Sequence, residues 1–312
     1  MPNSSSTLPK RVRIREVGPR DGFQNEPERI ATDDKVRLIE MLGATGVKRM
    51  EITSFVRPDV IPQLSDGAEV LARIELPDDV SRAVIVPTPK GLDNALASGL
   101  RIDQITVFLS ASESHNQANV NRSIAESLAG LEKMLPRIRE AGRRAGAAIS
   151  VSFGCPYEGT VAPEKLRELS LRLVEAGAEE LAYGDTTGMA NPVQVREFFP
   201  YMREAVGPDV ELTAHFHNTR GQGLANVLAA LEAGCESFDS SFGELGGCPV
   251  PPGATGNIAT EDLVSMLHEM GIETGIDLEA LLAASRAVRE VLGRPLGSHT
   301  LVAGPIDWDA TP

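Results

Sequence analysis

Short β-branched and aliphatic runs alternate with longer amphipathic stretches along most of the chain. The runs Val12–Val17, Arg49–Ser54, Arg82–Pro87, Gln104–Ser110, Ala147–Phe153, Glu179–Tyr183, Val210–His217 and Glu236–Ser240 read as strands. Apolar positions near the helical period mark Asp33–Leu42, Gln63–Ile74, Glu164–Glu175 and Pro192–Ala205 as helices. Asp33, Pro163 and Pro192 stand where helix starts are expected. Ser123–Ala145 is the longest helical stretch, bent or divided at Pro136. Eight such units imply parallel strands with helical crossovers, and they predict a closed (β/α)8 TIM barrel. Thr260–Met270 and Leu278–Leu292 would form a short C-terminal helical extension that finishes its wall. A doubly wound open sheet is the alternative. It predicts a Gly-rich dinucleotide turn after an early strand, and Gly18-Pro19-Arg20-Asp21-Gly22 lacks that spacing. Residues 1–10 are expected to be disordered, 11–292 to form one catalytic barrel, and 293–312 to form a tail.

Composition narrows the partners. Aromatic residues are only 4%, so aliphatic packing must carry the core. The net charge of −14 argues against nucleic acid and against an anionic membrane, because both want clustered Lys and Arg. It leaves room for an anionic small substrate at a local basic site. The odd set Cys155, Cys235 and Cys248 is not a disulfide framework. With no apolar leader segment and no run long enough to span a bilayer, the reading is cytoplasmic.

His215 and His217 close the seventh strand. Residues i and i+2 of a strand share a face, so the two imidazoles project together into the barrel mouth. Neutral imidazole suits several divalent metals. Asp21, just past strand one, is placed to add an anionic oxygen. Arg20 beside it would face a bound anion or a developing oxyanion. After strand eight runs Gly243–Asn257, with five glycines and three prolines that favour close approach to a ligand. It presents Cys248, a candidate acid–base catalyst, and Asn257, a candidate carbonyl ligand. Cys155 and Cys235 read instead as inert buried thiols. Glu51 in strand two is placed to hold Arg20, and Asp185 after strand six to orient a metal-bound histidine. Each is equally read as a satisfied structural group. The mixed N/O set points to Mg²⁺ or Mn²⁺.

The segments EVGPRDGFQNE, SFVRPDVIPQLSD, GCPYEG, GDTTG, HFHNTRGQGLAN and LGGCPVPPGATGNIATEDL resemble the 3-hydroxy-3-methylglutaryl-CoA lyases of the DRE-TIM metallolyase group, in family order from about Val12 to Leu292. The resemblance implies a metal held by Asp21, His215, His217 and Asn257. It implies Arg20 at the substrate thioester, with Gln24 and Asp185 as further substrate contacts, and Cys248 as the loop catalyst. It implies a homodimer that cleaves an acyl-CoA by a retro-Claisen reaction, as in leucine degradation. Departures from the family pattern are Asn218, Tyr183, Thr187, Glu244, Arg57-Pro58, Pro249-Val250-Pro251 and the tail. They leave the chemistry and open the substrate to citramalyl-CoA or an isoprenoid-extended glutaryl-CoA. The alternatives are an acetyl-CoA-condensing synthase of the same group, which usually carries an extra C-terminal region, an aldolase acting on a free keto acid, and an inactive metal-binding barrel.

Overall fold

The structure is a computed structural model and describes residues 8–246 and 256–309. Eight parallel strands close in sequence order: β1 (Arg13–Glu16), β2 (Arg49–Ser54), β3 (Ser81–Ile85), β4 (Gln104–Ser110), β5 (Arg144–Ser150), β6 (Glu180–Asp185), β7 (Glu211–Phe216) and β8 (Ser237–Ser240). β8 pairs with β1 in the register Arg15 to Asp239, which closes the ring. The barrel is therefore the fold, and the open sheet is excluded.

The outer wall contains α1 (Thr32–Gly43), α2 (Gly67–Arg73), α3 (Pro89–Ala97), α4 (Glu113–Val120), α5 (Ile124–Glu140), α6 (Pro163–Glu175), α7 (Pro192–Val206) and α8 (Gly223–Glu232). The C-terminal extension is α9 (Thr260–Glu269), α10 (Leu278–Leu292) and α11 (His299–Ala303). Among the described residues, no helix is long and apolar enough to cross a membrane.

Several expected boundaries move. α5 opens on a Ser123–Glu126 capping box and runs through Pro136 without division. It stops five residues earlier than predicted because Gly142 turns left-handed (φ 70°) and Arg143 N donates to Ile138 O. β5 consequently starts at Arg144. It ends at Ser150, where Val151 takes φ 53°, a costly conformation for a β-branched residue. The stretch predicted as one helix over Gln63–Ile74 divides into a 3₁₀ turn, Pro62–Leu64, and α2. At the N-terminus, Lys10 O accepts from Glu273 N.

Aliphatic side chains fill the layer between barrel and helices, joined by an aromatic cluster of Phe153, Tyr183, Phe198, Phe199 and Phe216. Inside the barrel, the N-terminal half is charged rather than aliphatic. Arg15, Glu180 and Asp239 are each no more than 3% exposed, and Arg15 donates to both carboxylates.

Candidate active site

The loops after β1 and β8 fold against each other because glycines let them touch. A Cβ on Gly18 would lie 2.4 Å from the Phe242 ring, and one on Gly246 (φ 97°) 2.5 Å from Asn257 Nδ2. Beneath them, buried Glu16 Oε1 accepts from Gly18 N (2.7 Å) and Phe242 N (3.1 Å), while its Oε2 accepts from Thr260 Oγ1 (2.7 Å). One carboxyl thus ties three elements together. Burial pushes Glu16 up to about 8, and pushes Glu261, which receives Gly243 N at 2.8 Å, up to about 7. An unfolded glutamate titrates near ~4.3. Between that value and about 8 the folded state holds the extra proton, so stability falls as pH rises through this window. Glu16→Gln, which mimics the protonated form, should show a smaller loss of melting temperature than wild type between roughly pH 5.5 and 8.5. Parallel losses in thermal melts would contradict the assignment.

Gly18–Gly22 form a single π-type turn that carries Arg20 and Asp21 to the barrel mouth. Arg20 Nε donates to Glu51 Oε1 (2.5 Å) and Nη1 to Asp21 Oδ1 (2.7 Å). Asp21 Oδ2 accepts from Asn257 Nδ2 at 2.8 Å and lies 4.0 Å from His215 Nε2. The two Nε2 atoms of His215 and His217 are 3.2 Å apart. Asn257 reaches them because the chain after β8 returns along the end of β7. Ile258 N donates to Phe216 O, Asn218 N to Gly256 O, and His217 forms a bridge with Asn257.

These atoms fit one divalent cation. Donors of Asp21, His215 and His217 all lie within 4.8 Å of one another. Adjacent ligands on bonds of about 2.1 Å stand roughly 3 Å apart in an octahedron, close to the histidine pair. Asn257 Oδ1 is buried with no hydrogen-bond partner, an acceptor left for a cation. Burial works to raise the Asp21 pKa, but Arg20, His215, His217 and Asn257 together hold it below the usual carboxylate value. Burial likewise opposes a charged His215, yet the carboxylates of Asp239 and Asp21 raise it overall.

The site opens into a cavity of 1480 Å³ lined by Arg20, Asp21, Gln24, Glu51, His215 and His217, among others. Gln24 is therefore at hand for a ligand. Asp185 is not. Its neighbours Gly184 and Thr186 line the cavity, and strand alternation turns Asp185 away. Its Oδ1 caps the following turn through Met189 N (2.7 Å) and Ala190 N (3.0 Å), and burial pushes it up to about 7. Asp185 is hydrogen-bonded to neither histidine, and its Oδ2 is buried without a hydrogen-bond partner. The carboxylate on His215 Nδ1 is Asp239, at 3.1 Å, a residue sequence reasoning passed over. Cys248 lies outside the described residues. Cys155 and Cys235 are buried, and burial pushes Cys235 up to about 12. Two of the departures prove to be partners, since Asn218 Nδ2 donates to Glu244 Oε2 at 3.3 Å.

A closed (β/α)8 barrel with Asp, two His and Asn converging at the C-terminal mouth, beside an anchored Arg, is a barrel of the kind that can hold a divalent cation at its mouth. A profile of the HMGL-like family matches residues 11–288. The chain is 47% identical over 293 residues to a hydroxymethylglutaryl-CoA lyase of Bacillus subtilis, covering 94% of this chain and 97% of that one. It is 43% identical over 306 residues to an (R)-citramalyl-CoA lyase of Chloroflexus aurantiacus, covering 95% of each. A solved HMG-CoA lyase of Acinetobacter baumannii, in complex with coenzyme A and 3-methylmalate, superposes with a TM-score of 0.91 at 40% identity, covering 97% of this chain and 98% of that one. The chain belongs to the HMGL-like family and is a lyase.

Proposed function

We propose that the protein cleaves 3-hydroxy-3-methylglutaryl-CoA to acetyl-CoA and acetoacetate. The observation that carries the reading is the convergence of Asp21, His215, His217 and Asn257 within reach of Arg20. Asp21, His215, His217 and Asn257 would hold a divalent cation, Mg²⁺ or Mn²⁺ by the mixed N/O donors, and it would supply Lewis-acid polarisation of substrate oxygens. The chain's own residues do the rest. Asp21 takes the proton of the tertiary hydroxyl, since Asp239 occupies His215 Nδ1 and His215 Nε2 faces the cation site. The C2–C3 bond breaks, its electron pair passing into the thioester as an enolate while C3 becomes the ketone of acetoacetate. Arg20, fixed by Glu51 and Asp21, holds the enolate oxygen. Cys248 returns a proton to the acetyl carbon. Gln24 lines the wall nearby, and the remaining cavity volume takes the coenzyme arm. We assign a homodimeric assembly and a cytoplasmic setting on the same family reading.

A second reading keeps the chemistry and moves the acyl group, because a relative at 43% identity is an (R)-citramalyl-CoA lyase. A coupled assay of kcat/KM for both thioesters, with Mn²⁺ and with EDTA, separates the two. Higher kcat/KM for 3-hydroxy-3-methylglutaryl-CoA and silence in EDTA are expected. A preference for citramalyl-CoA would move the substrate, and turnover in EDTA would remove the metal.

A further inference from the structure

Asp239, Arg15 and Glu180 take no part in bond making, yet they form a continuous, nearly fully buried chain beneath the donor cluster. In the registers of β1, β8 and β7, Asp239 stands between Arg15 on one side and His215 on the other. Both Asp239 oxygens are engaged by the Arg15 fork, Oδ1 by Nε and Oδ2 by Nη2, each at 2.9 Å. Arg15 cannot swing away, because its Nη1 donates to Glu180 Oε1 at 2.8 Å. Glu180 is held in turn by Arg49, by Gln104 Nε2 (3.0 Å) and by Thr213 Oγ1 (3.2 Å). Hydrophobic layers usually fill a barrel of this kind, so a charged chain here needs an account.

We propose that Asp239 is a positioning residue for His215, with Arg15 as its anchor, and that together they set which ring nitrogen of His215 meets the cation. The inference rests on the metal-site reading above. An ionised carboxylate only accepts hydrogen bonds. Since Asp239 is locked onto Arg15, the hydrogen between Asp239 Oδ2 and His215 Nδ1 belongs to the imidazole. The proton therefore sits on Nδ1, and the lone pair sits on Nε2, 3.2 Å from His217 Nε2 and 4.0 Å from Asp21 Oδ2. Without the carboxylate the neutral ring could carry its proton on either nitrogen, and the Nε2–H form cannot ligate. Glu180 lies one link further along the chain and touches neither histidine, so its loss should loosen the barrel without freeing the tautomer.

The test uses full-length protein labelled with ¹⁵N-histidine, stripped of metal for NMR at a pH alkaline enough to keep His215 neutral, and titrated with Mn²⁺ by calorimetry. Wild-type His215 should show the Nδ1–H tautomer. Asp239→Asn should show a mixture and bind Mn²⁺ about 10- to 100-fold more weakly. Glu180→Gln should melt earlier but keep the tautomer and bind Mn²⁺ like wild type. Arg15→Lys, which keeps the charge and loses the fork, covers the case in which Asp239→Asn does not fold, and should fall between. An unchanged tautomer and affinity in Asp239→Asn would overturn the proposal, as would unchanged values in Arg15→Lys. So would equal weakening in Glu180→Gln, which would make the chain merely structural. If wild type binds no Mn²⁺ while the tautomer still depends on Asp239, the positioning role stands and the metal reading falls.

Discussion

Replacing Asp21 with Asn should lower turnover of 3-hydroxy-3-methylglutaryl-CoA by roughly 10³-fold and weaken Mn²⁺ binding, while the barrel stays folded. Asp21 is the single anion of the donor set, and each of its oxygens has separate work. Oδ1 fixes Arg20, and Oδ2 lies between Asn257 Nδ2 and the histidine pair. The amide keeps the shape and one carbonyl, so packing survives. What it loses is the charge that offsets a dication. A Lewis-acid contribution of several kcal/mol matches a loss of that size, since each ~1.4 kcal/mol is tenfold in rate. The carboxyl is held below its usual pKa, so the variant differs from wild type at neutral pH and not only in acid. Steady-state rates across a Mn²⁺ titration, beside thermal melts, check this. A kcat within tenfold of wild type at saturating Mn²⁺ would show that the site does not need this anion.

Arg20→Met should lower kcat by about 10²- to 10³-fold with a smaller change in KM, the signature of an interaction gained mainly in the transition state. Thioester oxygen charge grows as the C–C bond breaks, and the guanidinium is already aimed by two carboxylates, so no reorganisation is needed. Arg20→Lys should not restore the rate. A single ammonium cannot satisfy Glu51 and Asp21 along the directions that Nε and Nη1 serve and still face the substrate. Glu51 is nearly fully buried and would be left without its cation in Arg20→Met, which costs stability. The double variant Arg20→Met/Glu51→Gln removes that penalty. A recovered melting temperature with a still-depressed kcat would separate the chemistry from the fold. Recovery of kcat in the double variant would assign the whole effect to stability.

Much of this was legible in the chain. β2 and β4 fall on the predicted residues because their buried apolar positions, Met50 and Ile52 in one and Ile105, Val107 and Leu109 in the other, recur at the strand period. His215 and His217 were legible from strand alternation alone. Helices α3, α4, α8 and α11 escaped notice, the last three for identifiable reasons. α8, GLANVLAALE, is apolar nearly all round and lacks an amphipathic stripe. α4, ESHNQANV, is mostly polar, and α11 has only five residues. The carboxylate on His215 was expected from Asp185 and comes from Asp239, while Gly184 and Thr186 on either side of Asp185 line the cavity. Asp239 was overlooked because Ser-Phe-Asp-Ser carries no motif. Its signal was a charge inside a buried strand, legible only beside an equally misplaced Arg15 in β1. Pairings between strands far apart in sequence depend on barrel register, which local patterns do not encode.

The most direct measurement is product stoichiometry. Metal-stripped protein is given 3-hydroxy-3-methylglutaryl-CoA, then Mn²⁺, and acetyl-CoA, acetoacetate and free coenzyme A are quantified together. The account predicts no consumption before Mn²⁺, and afterwards equimolar acetyl-CoA and acetoacetate with no free coenzyme A. Release of free coenzyme A without acetoacetate, or an equal rate without metal, would contradict it.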